Sequence, residues 1–331
     1  VATKAGTATV DAVAAIWQRV LRRSSIGTQE NFFDLCTDDS LADAIFAEIM
    51  RVFGRELPAA TICYASTISA LAAVLEQPIL PTFSPLVQLK AGTDKTPIFI
   101  APGVGGRASF SGLARSMNTE FRIYGIQARG VEGIEAPLER IEDMAEFYLK
   151  AILQVQAQGP YFLIGYSFGG LVALEMAQRI ALAGQRVALL TLIDTYPHPR
   201  YLPWGERLRF GAKRIKGALS YRRLTSDHQH RALDERYCQL SFAETTRRVK
   251  QSDFVALARY RPKLCKGSMR FVAPEADAYL PSDPVAVWKN LTEKLIVETV
   301  PGNHLKMVAE HSEKLAAVLS RYVREASEGY S

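Results

Sequence analysis

Between positions 161 and 176 the chain runs from Tyr161-Phe162-Leu163-Ile164 through Gly165-Tyr166-Ser167-Phe168-Gly169-Gly170 into Leu171-Val172-Ala173-Leu174-Glu175-Met176. An apolar run without polar alternation suits a strand covered on both faces, and the longer apolar stretch after it suits a packed helix. The glycines between them permit a turn tight enough to lift the Ser167 hydroxyl above the edge of a sheet. Further apolar runs at 98–101, 123–127, 187–193, 269–273 and 295–300 read as strands, most of them separated by helical patterns. Continuous rather than alternating hydrophobicity predicts a mostly parallel sheet with helices on both faces.

The first 77 residues follow a different pattern. Val13, Ile16, Trp17, Val20 and Leu21 recur at the spacing of one helical face, predicting a helix over 11–22. Asn31-Phe32-Phe33-Asp34-Leu35 leads into a polar turn, after which Leu41, Ile45, Ile49 and Phe53 mark a second helix ended by Gly54. Leu57-Pro58 opens a short piece, and Ser66 or Thr67 can cap a last helix with Ile68, Leu71 and Leu75 on its buried face. The expected unit is a small all-α four-helix bundle over 11–77. Pro78, Pro81 and Pro85 then mark a linker over 78–96, a composition unable to hold a helix or an inner strand. The second domain is expected over 97–326, with short ends at 1–10 and 327–331. A chain of 331 residues divides naturally in this way. Its opening on Val1, followed by a loose Ala/Thr/Gly stretch, is as expected for a piece of a longer polypeptide.

Composition narrows the functional classes. No apolar run reaches membrane-spanning length and no signal-peptide pattern opens the chain, so a cytoplasmic protein without membrane contact is expected. Cys36, Cys63, Cys238 and Cys265 are scattered without a C-x-x-C pair, against a zinc site or a disulfide framework. The net charge of +6 is unevenly spread. Positions 200–266 hold 17 Lys/Arg against 6 Asp/Glu, whereas 11–77 hold 9 acidic against 5 basic residues. No nucleic-acid recognition motif accompanies the basic stretch. Attraction between it and the acidic bundle is a second reading of the asymmetry.

Gly165 to Gly170 fits G-x-S-x-G, and the strand entering it and the helix leaving it are what a nucleophile elbow requires. Ser167 is the candidate nucleophile. A serine hydroxyl needs a base, and among five histidines His304 is best placed, in the breaker-rich turn Val300-Pro301-Gly302-Asn303-His304 after the last predicted strand. His311 is expected inside the helix running from Ala309; His198, His228 and His230 fall in or beside the basic stretch. Two positions compete for the orienting acid. Asp194 emerges abruptly from a wholly apolar strand, where a carboxylate needs a partner; Glu275 and Asp277 follow a later strand. Asp194 is favoured. Backbone N–H groups of Val104 and Phe168 are the candidate oxyanion donors. The glycines around Val104 also suit a phosphate loop, but no Gly-Lys-Ser/Thr follows. In the small unit, Asp39-Ser40-Leu41 opens a helix, and Ser40 reads either as an N-cap or as an attachment point for a phosphopantetheine arm.

Asn31-Phe32-Phe33-Asp34-Leu35 followed by Asp39-Ser40-Leu41 resembles the peptidyl carrier domains of nonribosomal peptide synthetases. Residues 97–326 resemble their type I thioesterase domains, through Gly165 to Gly170, Leu192-Ile193-Asp194-Thr195, Tyr279-Leu280-Pro281-Ser282-Asp283-Pro284 and the His304 turn. The resemblance implies an α/β-hydrolase fold with its acid at Asp194 and a mobile helical lid at about 199–266. It also implies a phosphopantetheine group on Ser40, transferred from coenzyme A by a phosphopantetheinyl transferase. The implied partners are upstream adenylation and condensation domains and a tethered peptidyl or acyl substrate. The implied reaction releases that substrate by hydrolysis or cyclisation through an acyl-serine. Alternatives are a polyketide or fatty-acyl releasing enzyme, or a carrier scaffold with a silent hydrolase fold. Where the family usually has two glycines before Asp-Ser, this chain has Thr37-Asp38, a bulkier turn expected to slow the transferase or to suit a particular one.

Overall fold

The structure, a computed structural model, describes residues 6–36, 40–78, 83–107, 110–202, 204–208, 242–276 and 283–328. The second unit is built on a seven-stranded sheet ordered β1-β3-β2-β4-β5-β6-β7. The strands are β1 (Leu86–Lys90), β2 (Asp94–Ala101), β3 (Phe121–Ile126), β4 (Tyr161–Tyr166), β5 (Val187–Ile193), β6 (Cys265–Pro274) and β7 (Thr292–Val300). All neighbours are parallel except β1 and β3. The six apolar runs picked out in the sequence fall in β2 to β7, the run at 123–127 overrunning β3 by Gln127 alone.

Both faces of the sheet are covered, which explains the missing alternation. Tyr161 and Leu163 of β4 pack with the helices Ile141–Val155 and Phe168–Leu182. Phe162 and Ile164 point the other way, into a cluster with Leu113 from the helix Ser111–Ser116 and with Leu315, Leu319 and Tyr322 from the helix Ser312–Glu328. Within Phe168–Leu182 both glycines and nine side chains from Phe168 to Ile180 are buried, since this helix lies between the sheet and the helix Ile141–Val155.

The expected linker over 78–96 is corrected by the structure: it contains β1 and the first residues of β2. Pro78, Pro81 and Pro85 all precede Leu86, so β1 itself is free of proline and pairs on one side only, as the edge strand beside β3. Pro97 sits in β2 where its pairing with β3 shifts register. The helix placed from Ala309 instead begins at Ser312, after a separate turn at Lys306–Ala309, and continues to Glu328. His311 therefore lies in the break between the two. Residues 209–241, including His228, His230 and Cys238, lie outside the described residues. The helix Phe242–Arg259 represents the far end of the expected lid segment.

The N-terminal unit holds helices at Thr7–Leu21, Phe32–Leu35, Ser40–Phe53 and Ile68–Leu75, with a 3₁₀ turn at Ala59–Cys63. The first starts four residues before the expected Asp11, because Glu76 accepts hydrogen bonds from the Gly6 N–H at 2.9 Å and the Thr9 hydroxyl at 2.6 Å. Thr67, not Ser66, caps the last helix by accepting from Ala70 N–H. Val13, Ile16 and Trp17 pack with Ile45, Ile49, Ile68 and Leu71, and the same cluster takes in Ala128, Val131, Phe242 and Val249 of the second unit. Across this boundary the Phe33 ring lies 6.2 Å from that of Phe242, under the Arg107 guanidinium. Asp43 accepts the Phe242 N–H at 2.8 Å, and Asn31 bonds the Ser111 hydroxyl. Asp34 pairs with Arg115 at 3.3 Å, yet burial raises its carboxyl pKa in spite of the guanidinium. A half-exposed pair of this kind contributes at most about 1 kcal/mol, so the apolar contacts carry more of the boundary.

Candidate active site

Ser167 follows β4 at the C-terminal edge of the sheet with φ 54° and ψ −121°. This left-handed backbone is costly for a residue with a side chain and persists only where its surroundings impose it. The Ser167 N–H donates to the Ile193 carbonyl at 2.8 Å and its carbonyl accepts from Gly170 at 3.1 Å. Three flanking glycines are required by space. A Cβ on Gly165 would fall 2.4 Å from the Gly169 carbonyl oxygen, one on Gly169 would fall 2.2 Å from that of Pro102, and one on Gly170 would fall 2.0 Å from the Thr195 hydroxyl. Because the obstruction at Gly169 is backbone, Gly169→Ala is expected to cost about 1–3 kcal/mol, read as a lowered melting temperature.

On the neighbouring strand, Asp194 closes β5 with φ 41° and is 0% exposed. Its N–H donates to the Val272 carbonyl at 2.9 Å, and the next residue's carbonyl accepts the Trp288 indole N–H at 3.0 Å. Asp194 Oδ2 lies 2.6 Å from His304 Nδ1, while its Oδ1 has no hydrogen-bond partner among the described residues. A buried carboxylate with so little compensation depends strongly on that imidazole. Bonded in this way, Nδ1 carries the proton and Nε2 keeps its lone pair. Of the competing acids, Glu275 is exposed and Asp277 lies outside the described residues.

The sequence reading missed Tyr166. Its ring stacks on the His304 imidazole at 4.9 Å between centroids, and its hydroxyl donates to the His304 carbonyl at 2.7 Å. Burial, with the Asp194 charge adding to it, raises the phenol's pKa well above its ordinary value, so it stays a donor. The residue before Ser167 thus holds the histidine turn from below. Only the aromatic identity of that position hinted at it.

The loop after β2 passes over Ser167: a Cβ on Gly103 would lie 3.5 Å from the Ser167 Cβ. Gly106 N–H donates to the Gly103 carbonyl at 3.1 Å and its carbonyl accepts from Ala128 at 2.7 Å. The amide N–H groups of Val104 and Phe168 have no acceptor among the described residues. Ser40 lies elsewhere, exposed, as the first residue of its helix; Thr37, Asp38 and Asp39 are outside the described residues. No group of three or more potential metal ligands occurs among the described residues, and none of the described helices is long and apolar enough to cross a membrane.

A mostly parallel sheet with a strained serine, a buried acid and a histidine at one edge defines an enzyme of the α/β-hydrolase type. The chain belongs to the thioesterase domain family, whose model matches residues 96–322, and is accordingly a hydrolase of acyl thioesters. A dimodular nonribosomal peptide synthase of Bacillus subtilis (strain 168) is 35% identical over 57% of this chain and 8% of its own length. The malpibaldin synthetase of Mortierella alpina is 27% identical over 89% of this chain and 5% of its own length. The chain therefore spans less than a tenth of the length of these curated relatives. Among solved structures, holo-AB3403, a four-domain nonribosomal peptide synthetase, matches with a TM-score of 0.57 at 23% identity, over 95% of this chain and 26% of its own. At that identity the likeness is one of fold.

Proposed function

We propose that the chain is the terminal carrier-thioesterase portion of a nonribosomal peptide synthetase, releasing a peptidyl or acyl product through an acyl-serine at Ser167. The observation that carries this reading is the 2.6 Å contact of Asp194 with His304 at the sheet edge where the strained Ser167 turn stands. His304 Nε2 takes the Ser167 proton as the hydroxyl oxygen attacks the thioester carbonyl. The new C–O bond forms, the oxyanion rests on the Val104 and Phe168 amides, and the C–S bond breaks as His304 returns the proton to the departing sulfur. Asp194 holds the imidazole tautomer and stabilises its cation. Water, or a product amine or hydroxyl, then opens the ester with His304 as base. Relatives with nonribosomal synthetase names support this choice of substrate class.

The N-terminal unit is read as the carrier. Ser40 suits covalent loading: it is exposed at the N-terminal end of a 14-residue helix, the positive end of whose dipole favours a phosphodiester. The phosphopantetheine arm would supply the acyl group as a thioester. Upstream adenylation and condensation domains and a phosphopantetheinyl transferase are the partners this implies. The test is treatment with coenzyme A and a promiscuous transferase, followed by intact mass. One phosphopantetheine is expected on the wild type and none on Ser40→Ala; no addition to the wild type would remove the carrier assignment while leaving the hydrolase reading standing.

A further inference from the structure

The helix Phe242–Arg259 lays Thr246, Val249, Lys250 and Asp253, one face at helical spacing, on the loop that crosses Ser167. A Cβ on Gly105 would lie 3.1 Å from Lys250 Cε and 3.8 Å from Thr246 Cγ2, and one on Gly106 would lie 3.1 Å from Val249 Cγ1. Thr246 and Val249 meet the loop through methyl groups and Lys250 through its methylene stem. The fourth is an aspartate only 2% exposed, and its Oδ2 accepts the Gly105 N–H at 2.8 Å. Gly105 has φ +96°, and its N–H has no backbone acceptor among the described residues. Without Asp253 that N–H would be buried with no acceptor. The proposed catalytic steps use no acid at this place.

We infer that Asp253 is a positioning residue: by holding Gly105 from the helix Phe242–Arg259, it keeps the adjoining Val104 N–H aimed at the oxyanion formed on Ser167. The inference rests on the reading of Val104 as an oxyanion donor. The same helix meets the N-terminal unit at its other end, through Phe242 and Asp43. Burial pushes the Asp253 carboxyl up to about 7, the Gly105 N–H lowering it only in part. The titratable side chains sharing its small pocket are Tyr148 from the helix Ile141–Val155 and Arg129 from the segment after β3, with Lys250 beside it on its own helix. Either protonation state leaves an oxygen lone pair for Gly105, so the contact needs an acceptor there, not a charge.

That distinction sets the test on the full chain, with hydrolysis of butyryl-N-acetylcysteamine and the rate of Ser167 labelling by a fluorophosphonate. Asp253→Leu should lower kcat and the labelling rate by about 10-fold or more, a misaimed donor costing less than a deleted one, with KM within about threefold. Asp253→Asn, which keeps a carbonyl acceptor, should stay within about threefold of the wild type in both. A folded-state pKa raised from 3.8 to about 7 also means that the unfolded chain loses its proton first as pH rises. Wild-type melting should therefore fall between pH 4 and 7 by an amount that Asp253→Asn abolishes. Asp253→Leu with wild-type kcat, a change confined to KM, or equal losses in both variants would overturn the inference. If wild-type Ser167 itself fails to label, the reading of the site falls first and the inference with it.

Discussion

Ser167→Ala, loaded at Ser40 from an acyl-coenzyme A by a transferase, is expected to keep its acyl group while the wild type discharges it. The contrast in discharge rate should be about 10⁴-fold or more, since removing a triad nucleophile leaves only binding and oxyanion stabilisation. The fold should survive, because the turn's contacts through the backbone of Ser167, to Ile193 and Gly170, are unaffected by the side chain. Intact mass against time after loading, with melting temperature as the control, checks this. Discharge of the alanine protein at the wild-type rate would mean that the thioester is cleaved without this hydroxyl.

Asp194→Asn should be nearly as damaging, with kcat falling about 10⁴-fold and KM changing little. The amide can occupy the same space but can offer its N–H₂ to His304 Nδ1. The imidazole then carries its proton on Nε2, facing Ser167 with a donor where a base is needed. The backbone bond from position 194 to the Val272 carbonyl holds the turn in either case, so the loss should appear in turnover and not in melting. Steady-state hydrolysis of an acyl-N-acetylcysteamine measures it; a loss under tenfold would place the orienting acid elsewhere.

What could be read from the sequence was what depends on near neighbours. Strands β2 to β7 were visible because burial on both faces writes a continuous apolar run, and Ser167 because glycine is needed within three residues on either side of it. Asp194 and His304 were singled out as polar residues following apolar strands. Their 2.6 Å contact closes the gap between β5 and the far edge of the sheet, 110 positions along the chain, which no local pattern encodes. Strand β1 was taken for linker because Pro78, Pro81 and Pro85 crowd the stretch before it, yet all three stop short of Leu86 and leave the strand itself free to pair. Tyr166 and Asp253 were passed over for one shared reason. Each looks like an ordinary member of its own element, and its use lies in a partner brought close only by the tertiary fold, the His304 turn for one and Gly105 for the other.

The most direct test of an acyl-serine enzyme is to locate the reactive hydroxyl itself. The full chain, treated with a fluorophosphonate, digested and sequenced by mass spectrometry, should carry a single phosphonyl group on the peptide containing Gly165 to Gly170, at Ser167, and His304→Ala should abolish its addition. Modification at another serine, or none while thioester hydrolysis proceeds, would contradict the account.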